Sequence, residues 1–169
     1  MNIDPVPLSS GHILSGFECR SQEQTDWLHQ HARQAHASGT TRVFVVAGED
    51  DTVIAYYAWC MASVGDLTCL PPRMRKGTGR YPQPVALLAR LGVDIRYEGR
   101  GLGAVLLNDV MTRLLGLSDE IGCRGLPIHC ETDDAKKFYL HLVPAFTASP
   151  TDPMHLYLLL KDIRQSLQP

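Results

Sequence analysis

The sequence predicts one α/β or α+β domain, a layer of sheet with helices packed on it. Three observations carry that expectation. The C-terminal half alternates strand, helix, strand, helix, strand, an order that needs helices covering a largely buried sheet. Ahead of it, 42–64 reads as a β-hairpin: two runs rich in Val, Ile, Tyr and Phe surround the turn Gly48-Glu49-Asp50-Asp51. Finally, 169 residues at 44% hydrophobic and 20% charged suit one domain, spanning 1–169, with a core of real size.

Composition also narrows the function. A net charge of −2 and a pI near 6.4 exclude a generally basic protein that coats nucleic acid, while allowing a local basic patch. Five cysteines (19, 60, 69, 123 and 130) lack C-x-x-C spacing. Their odd number and scatter argue against a disulfide framework or a zinc site and for a reducing cytoplasm. Residues 1–20 hold no continuous apolar segment of the signal-peptide kind, and no apolar run approaches bilayer length. A cytoplasmic protein with no membrane partner is expected.

Residues 3–20 are mixed, broken by Pro5, Pro7, Gly11 and Gly16. Ser21 is placed to cap a helix over 22–37, with Gln24 three residues on completing a capping box and Gly39 ending it. Trp27, Leu28, His31, Ala32 and Ala35 lie on or near one face. His29, His31 and His36 read as solvated or edge-packed, because no carboxylate or cysteine pattern completes a metal site. Strands follow at 42–47 and 52–64. Tyr56, Tyr57 and Trp59 suit either packing on a sheet face or the lining of a pocket.

Residues 65–84 differ in kind. They carry four prolines, the glycines Gly77 and Gly79 and the cations Arg73, Arg75, Lys76 and Arg80, with no acidic residue after Asp66. They read as an exposed, flexible, cationic loop, either merely solvated or a clamp for a polyanion. Arg90, on the next strand, adds to the same field.

The apolar strand 85–94 runs into Ile95-Arg96-Tyr97-Glu98-Gly99-Arg100-Gly101-Leu102-Gly103 and then a helix to 117. That helix places Leu102, Val105, Leu106, Val110, Leu114 and Leu117 on one face. Alternate glycines at 99, 101 and 103 leave a row of backbone N–H groups at a helix start. Such a row suits an anion, as it suits a tight turn. The spacing is neither the dinucleotide G-x-G-x-x-G nor a Walker A loop. After a break at 118–125 come a strand at 126–130, a helix over 131–142 capped by Thr132 or Asp133 and stopped by Pro144, a turn-rich 147–153, a last strand at 154–160 and a polar tail. The ligand-binding edge is expected at the carboxyl end of 85–94.

These residues carry a resemblance to the GNAT N-acetyltransferase superfamily. Its acyl-CoA signature, Arg/Gln-x-x-Gly-x-Gly/Ala after a strand, stands here as Arg96-Tyr97-Glu98-Gly99-Arg100-Gly101. Within the superfamily the chain most resembles the toxin branch of toxin–antitoxin pairs, the TacT and AtaT type. The stretches that carry this are Phe17-Glu18-Cys19 before Trp27-Leu28, the strand 84–94, and Ala135-Lys136-Lys137-Phe138-Tyr139. Two departures stand out. Ala145 precedes Phe146 where Gly-Phe is usual, and Arg20 follows Cys19 where Gly is usual.

The resemblance implies a GNAT fold, a mixed sheet with a splayed strand at the acyl-CoA site and helices on both faces. It implies acetyl-CoA as donor and no metal. The pyrophosphate would lie on the N–H groups of Glu98, Gly99, Arg100, Gly101, Leu102 and Gly103, with Arg96 and Arg100 as charge partners. The pantetheine would run along Leu91, Gly92 and Val93. Tyr139 would be the catalytic tyrosine, protonating the departing CoA thiolate or helping to place the acetyl group. The acceptor would be the α-amino group of an aminoacyl-tRNA, whose acetylation blocks translation, and Arg73, Arg75, Lys76, Arg80 and Arg90 would grip the tRNA. A ribbon–helix–helix antitoxin, operator DNA reached only through it, and a homodimer are the implied partners. The alternatives are a GNAT enzyme for a protein or small-molecule amine, and a non-catalytic acyl-CoA- or RNA-binding module.

Overall fold

In the computed structural model, which describes residues 1–169, seven strands form one mixed sheet. They are β1 (Val6–Pro7), β2 (Arg42–Ala47), β3 (Val53–Val64), β4 (Gln83–Val93), β5 (Gly125–His129), β6 (Thr147–Ala148) and β7 (His155–Leu159), in the order β1-β2-β3-β4-β5-β7-β6. The pairs β1/β2, β2/β3, β5/β7 and β6/β7 are antiparallel, and β4/β5 is parallel with Leu88 opposite Ile128. Six helices accompany them: α1 (Gln22–Gln30), α2 (Ala32–Ser38), α3 (Pro72–Arg75), α4 (Leu102–Ser118), α5 (Asp133–Leu142) and α6 (Leu160–Leu167). No helix is long and apolar enough to cross a membrane.

The chain forms two compact units, residues 1–60 with 89–110 and residues 61–88 with 111–169. In the first, the β2/β3 hairpin forms as its alternation predicts, with a register irregularity at Val46/Ala47. Phe17, Leu28, Ala32, Val43, Val45, Tyr56 and Ala58 make its core. Tyr56 is fully buried, edge-on to Phe17 and stacked on Trp27, so it is a packing residue. The helix expected over 22–37 is two helices, because His31 leaves helical geometry at φ −124°. Ser21 caps α1 by accepting from the Gln24 N–H at 3.2 Å. The return half of the capping box is not made, since Gln24 Oε1 is buried without a partner.

The second unit holds the larger departures. The segment 65–84 is not simply exposed: Leu70 and Met74 are fully buried and pack with Tyr157. Pro72 starts α3 at a position where its missing N–H costs nothing. The polar tail is the helix α6, anchored by fully buried Ile163. The turn-rich 147–153 contains the two-residue strand β6. Along α4, the buried residues are Leu102, Leu106, Leu107, Val110, Met111 and Leu114, while Val105 is half-buried and Leu117 is 47% exposed. The apolar stripe therefore follows i, i+4, i+5 spacing and leaves the last turn in solvent.

Candidate active site

The residues expected on the donor side sit in the first unit, where β4 ends. Asp94 is fully buried and caps the following 3-10 turn, Ile95–Tyr97. Its carboxylate accepts from the Arg96 backbone N–H at 2.9 Å, Arg96 Nε at 2.8 Å, Arg96 Nη2 at 2.8 Å and the Glu18 N–H at 3.2 Å. The Arg96 hydrogen bonds hold the Asp94 carboxyl below its ordinary range against the opposing effect of burial. They push Arg96 further into its charged form. Arg96 Nη2 also donates to the Gly16 carbonyl at 3.1 Å. Two residues on, Arg20 closes a second ion pair with Glu98 at 2.8 Å. Residues 16–20 are thus strapped to 94–98 by the Arg20–Glu98 pair and by the hydrogen bonds of Arg96 to the Gly16 carbonyl and of the Glu18 N–H to Asp94.

Beyond the strap the backbone opens. Gly99 and Gly101 have φ of 74° and 79°, and a Cβ built on either would meet nothing within 4 Å. Only glycine takes this conformation freely. The Val105 N–H bonds the Gly101 carbonyl at 3.1 Å, which begins α4. The N–H groups just before it have no carbonyl four residues back to bond, and they carry the positive end of the helix dipole. Arg100 is exposed and lies over the Tyr97 ring, 4.9 Å from its centroid. An open amide row, an exposed guanidinium and a helix N-terminus fit a diphosphate. Arg96 is different. Its guanidinium is occupied by Asp94 and Gly16, so it shapes the turn.

On β4 itself, Leu91 and Val93 are half-buried and continue past the Leu88–Ile128 register point. Gly92 faces inward: a Cβ there would lie 3.1 Å from Tyr56, 3.3 Å from Cys19 and 3.4 Å from Phe17. It lets the strand approach that aromatic wall. Arg90 pairs with Glu23 of α1 at 2.6 Å and covers the Trp27 ring at 5.5 Å.

The remaining expected residues lie in the second unit. Arg75, Lys76 and Arg80 are exposed, whereas Arg73 is half-exposed and bonds Asp162 of α6 at 3.1 Å. Arg124 Nη2 donates to the Met74 carbonyl at 2.8 Å and the Lys76 carbonyl at 3.3 Å, which fixes the end of α3. The buried Gln83 amide holds the carbonyls of Thr78 and Tyr81. The cations therefore stand on an anchored segment. Tyr139 projects from α5, whose start is capped by Thr132 accepting from the Ala135 N–H at 3.1 Å. It is 7% exposed and lies edge-on to Phe138 and Phe146, at 5.1 and 6.1 Å. Burial is the main cause raising its pKa well above the usual phenol value, so the hydroxyl stays protonated at neutral pH. The chain after Tyr139 turns at Val143 and brings Phe146 back onto the tyrosine, a path that Ala145 accommodates.

Each unit thus gathers part of the expected set: residues 90–103 in one, the basic segment and Tyr139 in the other. Sequence reasoning missed Asp94. The available signal was an acid at the end of an apolar strand two residues before an arginine. No group of three or more His, Cys, Asp or Glu side chains has the geometry to hold a metal ion.

Comparison with known proteins adds to this geometry. The model of the acetyltransferase (GNAT) family matches residues 12–142. The chain is 38% identical over 160 residues to a tRNA-acetylating toxin of Mycobacterium tuberculosis, covering 95% of this chain and 93% of that protein. Among solved structures, it shares its fold with AtaT complexed with acetyl-methionyl-tRNAfMet, at a TM-score of 0.86 and 21% identity, covering 97% and 98% of the two chains. A tyrosine-to-phenylalanine variant of AtaT bound to the C-terminus of its antitoxin AtaR has the same fold, at a TM-score of 0.82 and 20% identity, covering 98% of each chain.

Proposed function

The chain belongs to the acetyltransferase (GNAT) family, and from that premise we propose that it moves the acetyl group of acetyl-CoA to the α-amino group of an aminoacyl-tRNA. Acetyl-CoA supplies the thioester whose carbonyl carbon the amine attacks. The open turn at Gly99 and Gly101, backed by the Asp94–Arg96 clamp, is the observation that carries the donor half of this reading. The N–H groups of Glu98 to Gly103 receive the pyrophosphate, Arg100 adds charge, and Leu91 and Val93 offer backbone to the pantetheine. The acceptor half is supported by the 38% identity to a tRNA-acetylating toxin and by the exposed cations at 75, 76 and 80.

The chemistry asks little acid–base power of the protein. An α-amine has a pKa of about 7.7–8.0, so a large share is already neutral near pH 7. Its last proton goes to water. The amine nitrogen bonds the carbonyl carbon, the carbon–sulfur bond breaks, and Tyr139 hands its phenolic proton to the leaving thiolate and regains one from the water that took the amine's. Holding the two reactants together is worth up to roughly 7–11 kcal/mol in favourable intramolecular cases.

The toxin role brings partners with it. We assign this chain an antitoxin of the ribbon–helix–helix kind, contact with operator DNA through that antitoxin, a homodimeric state and a cytoplasmic site of action. Replacing Tyr139 with Phe separates binding from transfer. The variant should bind acetyl-CoA as the wild type does and acetylate charged tRNA about 10²–10⁴-fold more slowly, the usual range for one proton-transfer group. Transfer at the wild-type rate would remove Tyr139 from the mechanism.

A further inference from the structure

We propose that His129 and His155 form a stacking platform for an unpaired RNA base beside the basic segment, an inference that rests on the aminoacyl-tRNA reading above. The two histidines are 26 positions apart in the chain and meet only through the sheet, as the register pair His129↔His155 of β5 and β7. Their rings lie face to face, centroids 3.8 Å apart and 10° from parallel. His129 is exposed and the His155 side chain is 33% exposed, so the stack is open to solvent. Asp152 Oδ2 lies 3.4 Å from His155 Nε2 and steadies that ring.

What surrounds the stack gives it a use. Paired residues on antiparallel strands share a face, and every second residue returns to it. The rungs His129/His155, Pro127/Tyr157 and Gly125/Leu159 therefore lie in a row on one face. Tyr157 packs under Leu70 and Met74, and a Cβ at Gly125 would meet Met74 Cε at 3.3 Å. The segment that carries Arg73, Arg75 and Lys76 thus covers two rungs and stops short of the third. Ser149 links the same parts: its Oγ donates to the Cys69 carbonyl at 2.6 Å and its N–H to the His155 carbonyl at 2.8 Å. An exposed aromatic stack at the margin of a cationic segment is the composition of a single-strand site, in which cations follow the backbone and a ring takes a base face. The 3′ end of a tRNA is such a strand. Although the residue is exposed, partial desolvation and the neighbouring His155 lower the His129 pKa against the opposing pull of Asp152, which favours the neutral form suited to stacking.

The test uses the full chain at pH 8. Two readouts are taken: KM for charged tRNA with labelled acetyl-CoA, and anisotropy of a fluorescent single-stranded RNA ending in CCA. His129→Ala and His155→Ala should each weaken both by roughly tenfold, within the usual range for one stacked base, while KM for acetyl-CoA and the melting temperature stay put. His129→Phe should restore both, since a ring without nitrogen still stacks. Wild-type values in the alanine variants would overturn the platform, as would rescue by His129→Asn with failure of His129→Phe. If the wild type acetylates no charged tRNA yet the RNA still binds through the histidines, the platform stands and the acceptor assignment falls.

Discussion

The turn after β4 and the segment before it are both rich in arginine, yet they use it in opposite ways. Around the turn, Arg96 is bound to buried Asp94, Arg20 to Glu98 and Arg90 to Glu23. In the segment, Arg73 alone pairs with a buried acid, and Arg75, Lys76 and Arg80 are exposed. The first set is spent on shape: it holds a strap and a glycine turn in one conformation, leaving the backbone amides and Arg100 as the groups open to solvent. The second set keeps its charge available. Counting cations in the sequence merges the two, and only their partners separate them.

The largest test of that contrast removes the available charges. Replacing Arg75, Lys76 and Arg80 together with Ala should lower affinity for charged tRNA by roughly two orders of magnitude or more at low salt. It should also flatten the salt dependence by about two to three units of slope, near one per lost phosphate contact. Binding measured across a salt series checks it, and KM for acetyl-CoA should not move. An unchanged slope would place these cations outside the tRNA contact.

The next effect comes from the occupied set. Asp94→Asn removes the charge that accepts from Arg96 and Glu18 inside the fold, and a lost charge-assisted bond of this kind costs roughly 1.5–3 kcal/mol. Thermal melts should show that loss. KM for acetyl-CoA should rise, whereas KM for S-acetylpantetheine, which lacks the diphosphate, should change little. If both donors suffer equally, the clamp is not specific to the turn. A pH series sharpens this further. The folded Asp94 carboxyl titrates below its unfolded value, so its contribution is present above the ordinary carboxylate range and disappears as pH falls through the folded pKa. The stability gap between wild type and Asp94→Asn should therefore narrow as pH is lowered from 7 towards 3. The smallest effect is Gly92→Ala. Its methyl would press on Tyr56, Cys19 and Phe17 at 3.1–3.4 Å, costing about 1 kcal/mol, the low end of overpacking. A denaturant melt measures it.

Much of the fold was legible because its signals are local. The hairpin 42–64, the strand before the glycines and the long helix after them all declare themselves by period and turn residues. So do the Ser21 and Thr132 caps. What stayed hidden depends on distant partners. Leu70 and Met74 look like loop residues until Tyr157, more than eighty positions later, buries them. The helix α6 has only eight residues, too few for a clear apolar period, and takes its anchor from Ile163. The glycine turn was visible as a glycine-rich junction between strand and helix. That Arg96 serves Asp94 was not, because hydrogen bonds from a side chain to its near neighbour leave no periodic trace. Tyr139 was reached through resemblance alone, since one tyrosine in a helical pattern is ordinarily a core aromatic.

One measurement bears most directly on the account. The purified chain is incubated with labelled acetyl-CoA and total charged tRNA, and the acetylated species are identified after the aminoacyl ester is released. The account predicts label on the α-amino group of tRNA-linked amino acid, none on uncharged tRNA, and a steep loss with Tyr139→Phe. Label confined to protein lysines or small amines, with charged tRNA untouched, would contradict it.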